Sequence, residues 1–234
     1  MHRYIGIFIV ILLCASCAQK SYRMLLVGNS FTYYSGGLER HIAALNEECR
    51  KPLQLEVESF TRGGAPLKEL WGEDDVHQMI KNGGYDFVVL QGDIPESTVE
   101  DFFDYGSRFV REVRDTGATP VFYMAWDYER LGWISMEEIA QAHEELARKL
   151  DVEIAPVGPA MKSVEALHPE IEMLGSDKEH QTIAGAYIAA CVIYGTVFDR
   201  NPEESTYLPW PGSGALSEEE AALLRRIARE HSRN

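Results

Sequence analysis

The chain has 234 residues, with 37 acidic against 22 basic side chains and a net charge of −15. That balance excludes a nucleic-acid partner, which needs a basic face, and electrostatic adhesion to anionic lipid. The length and a 45% hydrophobic content suit one domain with a sizeable core.

The N-terminus reads as an export signal. His2-Arg3 supply positive charge, Tyr4 to Leu13 is apolar, and Cys14-Ala15-Ser16 puts small residues before Cys17. The apolar stretch is shorter than the roughly 20 residues of a spanning helix. The segment resembles a bacterial lipobox, with Cys14 where leucine is usual. The resemblance implies cleavage before Cys17 and lipidation of its thiol. Residues 1–16 are then a signal peptide, 17–22 a tether and 23–234 the domain. An ordinary signal cut nearby or an uncleaved anchor are the alternatives. The expected location is the cell envelope, with the acyl chain as the only membrane contact. Of Cys49 and Cys191, the second lies in an apolar run, where a buried free thiol is expected over a disulfide.

The remaining pattern alternates strand and helix. Met24–Val27 is a short apolar run, read as a buried strand. Leu38, Ile42 and Leu45 recur at helical spacing up to Glu48. Leu53–Phe60 alternates as a strand does, and Leu67–Ile80 is helical in part. Phe87–Leu90 is a strand, Val99–Arg114 a helix, and Thr119–Met124 a strand entered through Gly117. Ser135 with Glu138 forms a capping box for a helix to Leu150. Glu153–Val157 is a strand, Thr182–Val197 a helix, and Asn201–Gly214 a loop. Ser217 caps the last helix, with acids at its start and arginines later. Five strands alternating with helices imply an α/β fold whose parallel sheet is covered on both faces.

Two segments carry chemistry. Gly28-Asn29-Ser30-Phe31-Thr32 follows the first strand and presents a hydroxyl at its carboxyl end, the edge where open α/β sheets bind ligands. Asp177-Lys178-Glu179-His180 places a carboxylate and an imidazole three residues apart. An alcohol, a base and a carboxylate that orients the base are the parts of a serine nucleophile. Read alone, Ser30 is a helix or turn cap, the usual job of serine at such a place, before it is a nucleophile, and Asp177 could be a loop cap. His168 before Pro169 is the rival base, and most of the other histidines read as surface residues. Outside the signal segment, whose Cys14-Ala15-Ser16-Cys17 is read as a lipobox, no Cys-x-x-Cys is present, nor any His-Glu-x-x-His or EF-hand loop, so no metal or cofactor is expected.

Together these segments resemble the SGNH (GDSL-like) hydrolases. Gly28-Asn29-Ser30-Phe31 stands at the family's nucleophile block and Asp177-x-x-His180 at its Asp-x-x-His block. Gly63-Gly64 stands at the glycine block, and Val88-Val89-Leu90-Gln91-Gly92-Asp93 leads into the Gly-x-Asn-Asp block. The order holds from about Tyr22 to Phe198. The resemblance implies a flavodoxin-like three-layer αβα sandwich with strand order 2-1-3-4-5. It implies Ser30 as nucleophile, His180 as base and Asp177 as its partner. An imidazole titrates near neutral pH, which suits base and then acid. The oxyanion hole falls to the backbone N–H groups of Ser30 and Gly64 and to an asparagine. Asp93 occupies the asparagine position, so Gln91 is the first expectation for the third donor, with a protonated Asp93 the other. Trp126, Tyr128 and Trp133 follow the fourth strand and are candidates for stacking on sugar rings or lining an acyl pocket. Loop packing reads equally well for them.

The expected activity is hydrolysis of a small-molecule or carbohydrate ester through an acyl-enzyme. The alternative is a non-catalytic lipoprotein that binds a glycan or a phosphate ligand on the same fold.

Overall fold

The computed structural model describes residues 20–209 and 216–232. The signal segment, Cys17 and positions 210–214 of the expected loop lie outside the described residues. Five strands form one parallel sheet: β1 (Ser21–Gly28), β2 (Gln54–Thr61), β3 (Phe87–Gly92), β4 (Thr119–Met124) and β5 (Glu153–Ala155). Their order is β2-β1-β3-β4-β5. The α-helices among the described residues are α1 (Ser30–Tyr33), α2 (Leu38–Glu47), α3 (Leu67–Leu70), α4 (Asp74–Asn82), α5 (Val99–Asp115), α6 (Met136–Leu150), α7 (Val157–Leu167), α8 (Ile183–Phe198) and α9 (Glu218–His231).

Strand alternation divides the core in two. Met24 and Leu26 of β1 join the cluster under α2, α7, α8 and α9, while Leu25 and Val27 join the one under α3 to α6. Val89 against Val88, and Tyr123 against Phe122, repeat the division in β3 and β4. This is the three-layer αβα sandwich that the alternating pattern and the family resemblance imply. α8 is apolar on every side because it is enclosed by the sheet, α2, α7 and α9. None of the described helices is long and apolar enough to cross a membrane.

Several boundaries differ from the sequence reading. β1 starts at Ser21, so Ser21 and Tyr22 of the expected tether already pair with Gln54 and Leu55. The segment Leu67–Ile80 breaks into α3 and α4 around Gly72. β5 ends at Ala155, because Pro156 has no N–H to continue the ladder. Val157 then opens α7, a helix absent from the sequence reading, with Pro159 in its first turn, where no intrahelical donor is needed. Cys49 and Cys191 are buried free thiols.

Candidate active site

The site is built at the carboxyl ends of β1, β2 and β3. β1 runs out at Gly28, where a Cβ would collide with the Gln91 and Thr32 side chains, so a glycine lets this turn close against β3. Asn29 rather than Ser30 is the N-cap of α1: its Oδ1 accepts from Phe31 N at 3.1 Å. Ser30 is therefore the first helical residue, and its hydroxyl is left to other partners. It is only 7% exposed.

The other half comes from the loop before α8. Asp177 Oδ1 accepts from the backbone N–H groups of Glu179 (3.1 Å) and His180 (3.0 Å), which closes a tight turn. Its Oδ2 accepts from His180 Nδ1 at 2.8 Å. That bond puts the ring proton on Nδ1 and leaves Nε2 as an acceptor, 2.9 Å from Ser30 Oγ. The His180 bond, reinforced by the two backbone donors, holds the Asp177 carboxyl below the usual carboxylate range. The structure thus brings Ser30, His180 and Asp177 into one hydrogen-bonded chain. His168 instead pairs with Glu170 at 3.2 Å. His41 and His143 are buried, contrary to the surface reading. Burial holds His143 down to about 4.

Gly64 sits beside this chain. Arg62 N donates to Gly28 O at 3.1 Å, and Ala65 N to Arg62 O at 3.2 Å, so the Gly63-Gly64 turn is anchored to the end of β1. Gly64 has φ +68, which favours glycine, and a Cβ there would meet nothing within 4 Å. The N–H of Ser30, first in its helix, has no intrahelical acceptor and remains available. Gln91 and Asp93 correct the expectation of a third donor. Gln91 is buried. Its Nε2 donates to Asn29 Oδ1 (2.6 Å), and its Oε1 accepts from Asn29 N (3.1 Å) and Thr32 Oγ1 (2.7 Å). The amide therefore braces the nucleophile turn and does not face the cleft. Asp93 is also buried, accepting from Asn29 Nδ2 at 2.5 Å and Tyr128 OH at 3.2 Å. Burial pushes its carboxyl up to about 7 against these two donors, with Glu96 adding repulsion.

Trp126 and Tyr128 are corrected as well. Trp126 is 1% exposed: it stacks on Phe31 at 4.5 Å and its Nε1 donates to Glu179 O at 2.9 Å. Tyr128 is buried by its bond to Asp93 and its edge contact with Phe31. Both rings are enclosed with their polar atoms satisfied, so neither offers a face to a ligand. They support the two loops from beneath.

Arg130 was missed in the sequence reading. Arg130 holds Glu179 bidentately (Nε–Oε2 2.6 Å, Nη2–Oε1 2.8 Å) and also bonds Glu96, tying the histidine loop to the loop after β3. Tyr34, 46% exposed, lays its ring 4.5 Å from the His180 imidazole. A lone arginine in a loop carries no sequence signal of its partners. Among the described residues no group of three or more His, Cys, Asp or Glu side chains is placed to hold a metal ion.

A hydroxyl bonded to an oriented imidazole, beside a backbone turn with a free N–H, can attack a carbonyl and stabilise the resulting charge. No family model and no curated protein matches the sequence. Solved structures do match. A candidate SGNH hydrolase from Slackia heliotrinireducens aligns at 26% identity and TM-score 0.64, covering 76% of this chain and 99% of its own. A DUF4886 family protein from Bacteroides uniformis aligns at 15% identity and TM-score 0.68, covering 90% and 94%. An acetylxylan esterase from Geobacillus stearothermophilus aligns at 16% identity and TM-score 0.60, covering 75% and 94%. The last two likenesses, at that identity, speak for the fold, and structures of the SGNH hydrolase type share this sandwich.

Proposed function

We infer that this chain is a serine ester hydrolase working through an acyl-enzyme. The observation that carries the reading is the pair of bonds Ser30 Oγ–His180 Nε2 (2.9 Å) and His180 Nδ1–Asp177 Oδ2 (2.8 Å). The names of the matching solved structures, a candidate SGNH hydrolase and an acetylxylan esterase, support the same class. Ser30 Oγ attacks the ester carbonyl while His180 Nε2 takes its proton. The carbonyl oxygen becomes an oxyanion beside the N–H groups of Ser30 and Gly64. Collapse breaks the bond to the alcohol oxygen, which receives the proton from His180. Water, deprotonated by the same imidazole, then attacks the acyl-Ser30 ester, and the carboxylic acid leaves. Asp177 stabilises the imidazolium formed in each half.

The substrate in this reading is an acylated carbohydrate or similar ester, and the protein is held at the cell envelope through a lipid on Cys17. The acetylxylan esterase likeness supports the first point, and the signal-like apolar segment ending in small residues before Cys17 supports the second. With 4-nitrophenyl acetate as substrate, Ser30→Ala and His180→Ala each lower kcat by a factor of about 10³ or more, with the melting temperature retained. A Ser30→Ala protein with wild-type turnover contradicts the assignment.

A further inference from the structure

The His180 imidazole lies against a ring that the Ser30–His180–Asp177 chain does not itself require. The Tyr34 ring centroid stands 4.5 Å from that of the imidazole, with 31° between the two planes. Rings so close and so nearly parallel overlap face to face. Phe31 also meets His180, but at 5.8 Å and 74°.

Burial does not explain where Tyr34 sits, because its side chain is 46% exposed. Nor does the loop need the ring to hold its course. Tyr34 N–H donates to Ser30 O, and Gln181 Nε2 donates to Phe31 O at 2.9 Å and to Tyr34 O at 3.5 Å. The next residue, Ser35, donates from Oγ to Gln181 O at 2.7 Å. One end of this link is the nucleophile and the other is the neighbour of the base. A residue four positions after Ser30 returns to the same side of the helix, so the turn that follows Ser30 also carries an aromatic face to His180.

What that face does follows from charge. In the reaction inferred above, the imidazole is neutral while Nε2 accepts from Ser30 Oγ, and becomes a cation once the serine proton has moved to Nε2. An aromatic face is the negative part of its ring and attracts a cation within about 6 Å of the centroid. This attraction is missing from the resting imidazole and present in the transition state, which is the condition for an interaction to raise the rate. Asp177 bonds the Nδ1 edge of the same ring at 2.8 Å, so carboxylate and tyrosine act from different sides, one along the plane and one on the face.

We propose that Tyr34 is a positioning residue of the hydrolase: its ring face holds the His180 imidazole toward Ser30 and stabilises the imidazolium that forms as Ser30 Oγ gives up its proton. The proposal rests on the ester hydrolase reading and adds to it a side chain that acts through His180.

The test measures kcat/KM of the full-length chain for vinyl acetate, whose alcohol carries no ring that could stack on Tyr34. Tyr34→Phe keeps the aromatic face and retains wild-type kcat/KM. Tyr34→Leu removes the face and lowers kcat/KM roughly two- to fivefold. The deciding series is Tyr34→Phe carrying one, two or three ring fluorines, which drain negative charge from the face and nearly keep its shape. Across that series kcat/KM falls stepwise toward the Tyr34→Leu value, with the melting temperature retained. Wild-type kcat/KM in Tyr34→Leu overturns the proposal. So does a Tyr34→Phe protein as slow as Tyr34→Leu, which assigns the effect to the hydroxyl, and so does a flat fluorine series, which leaves the ring a packing role alone. A folded wild type that releases no acid from vinyl acetate overturns the hydrolase reading itself.

Discussion

The His180 imidazole is held from several directions. Asp177 fixes its Nδ1, Ser30 meets its Nε2, Tyr34 covers one face at 4.5 Å and Phe31 meets it edge-on at 5.8 Å. Asp93, two layers back, is the costly member of the neighbourhood. Its carboxyl is raised by burial to about 7, well above its unfolded value. From roughly pH 4 to 7 the fold keeps a proton that the unfolded chain has released, so Asp93 lowers stability as pH rises through that window, and the full penalty applies above it. Asp93→Asn removes the penalty. Thermal unfolding is expected to show the variant more stable than wild type at pH 8 by a margin of a few kcal/mol at most, shrinking toward pH 5. A variant less stable than wild type at pH 8 means that the donors Asn29 and Tyr128 more than offset the burial. Ser30, Asp177 and His180 were legible only together: a strand-end serine or an Asp-x-x-His turn reads alone as a cap, and it was the resemblance of the paired blocks that gave them their roles. Gln91, Asp93, Trp126 and Tyr128 were not, because an aromatic or amide at a strand end looks the same whether it faces the cleft or is turned inward to a partner some 30 to 60 residues away.

At the scale of elements, the site depends on how closely α8 approaches the loop before it. Gly185, in the first turn of α8, has no room for a Cβ: one would collide with Met173 O and lie 2.8 Å from Gln181 Cβ. Gln181 in turn donates from Nε2 to Phe31 O at 2.9 Å, so the same contact joins the histidine loop to α1. Gly185→Ala must push the loop outward. It is expected to destabilise the fold by about 1–3 kcal/mol and to lower esterase kcat more than KM, since the His180–Ser30 distance is what shifts. Wild-type kcat in a folded Gly185→Ala protein contradicts this coupling. The capped helices α6 and α9 were legible because Ser135 with Glu138, and Ser217 with Glu220, form complete capping boxes. α7 was not, because Pro156 and Pro159 punctuate it at a place where the same prolines equally mark a strand end and a loop.

For the molecule as a whole, the alternation of strand and helix carried the fold class, and the split of β1 residues between two cores follows from strand geometry alone. Strand order came from the family resemblance, since periodicity says nothing about which strands are neighbours. What the sandwich does is bring residues 150 positions apart, Ser30 and His180, to one edge of the sheet. Whether that contact makes a working nucleophile is the central claim. Reaction of the native protein with a fluorophosphonate, followed by mass analysis of its peptides, tests it most directly. A single adduct on Ser30, absent from folded Ser30→Ala protein, is the predicted result. A folded wild type left unlabelled, or a label that persists in Ser30→Ala, would contradict it.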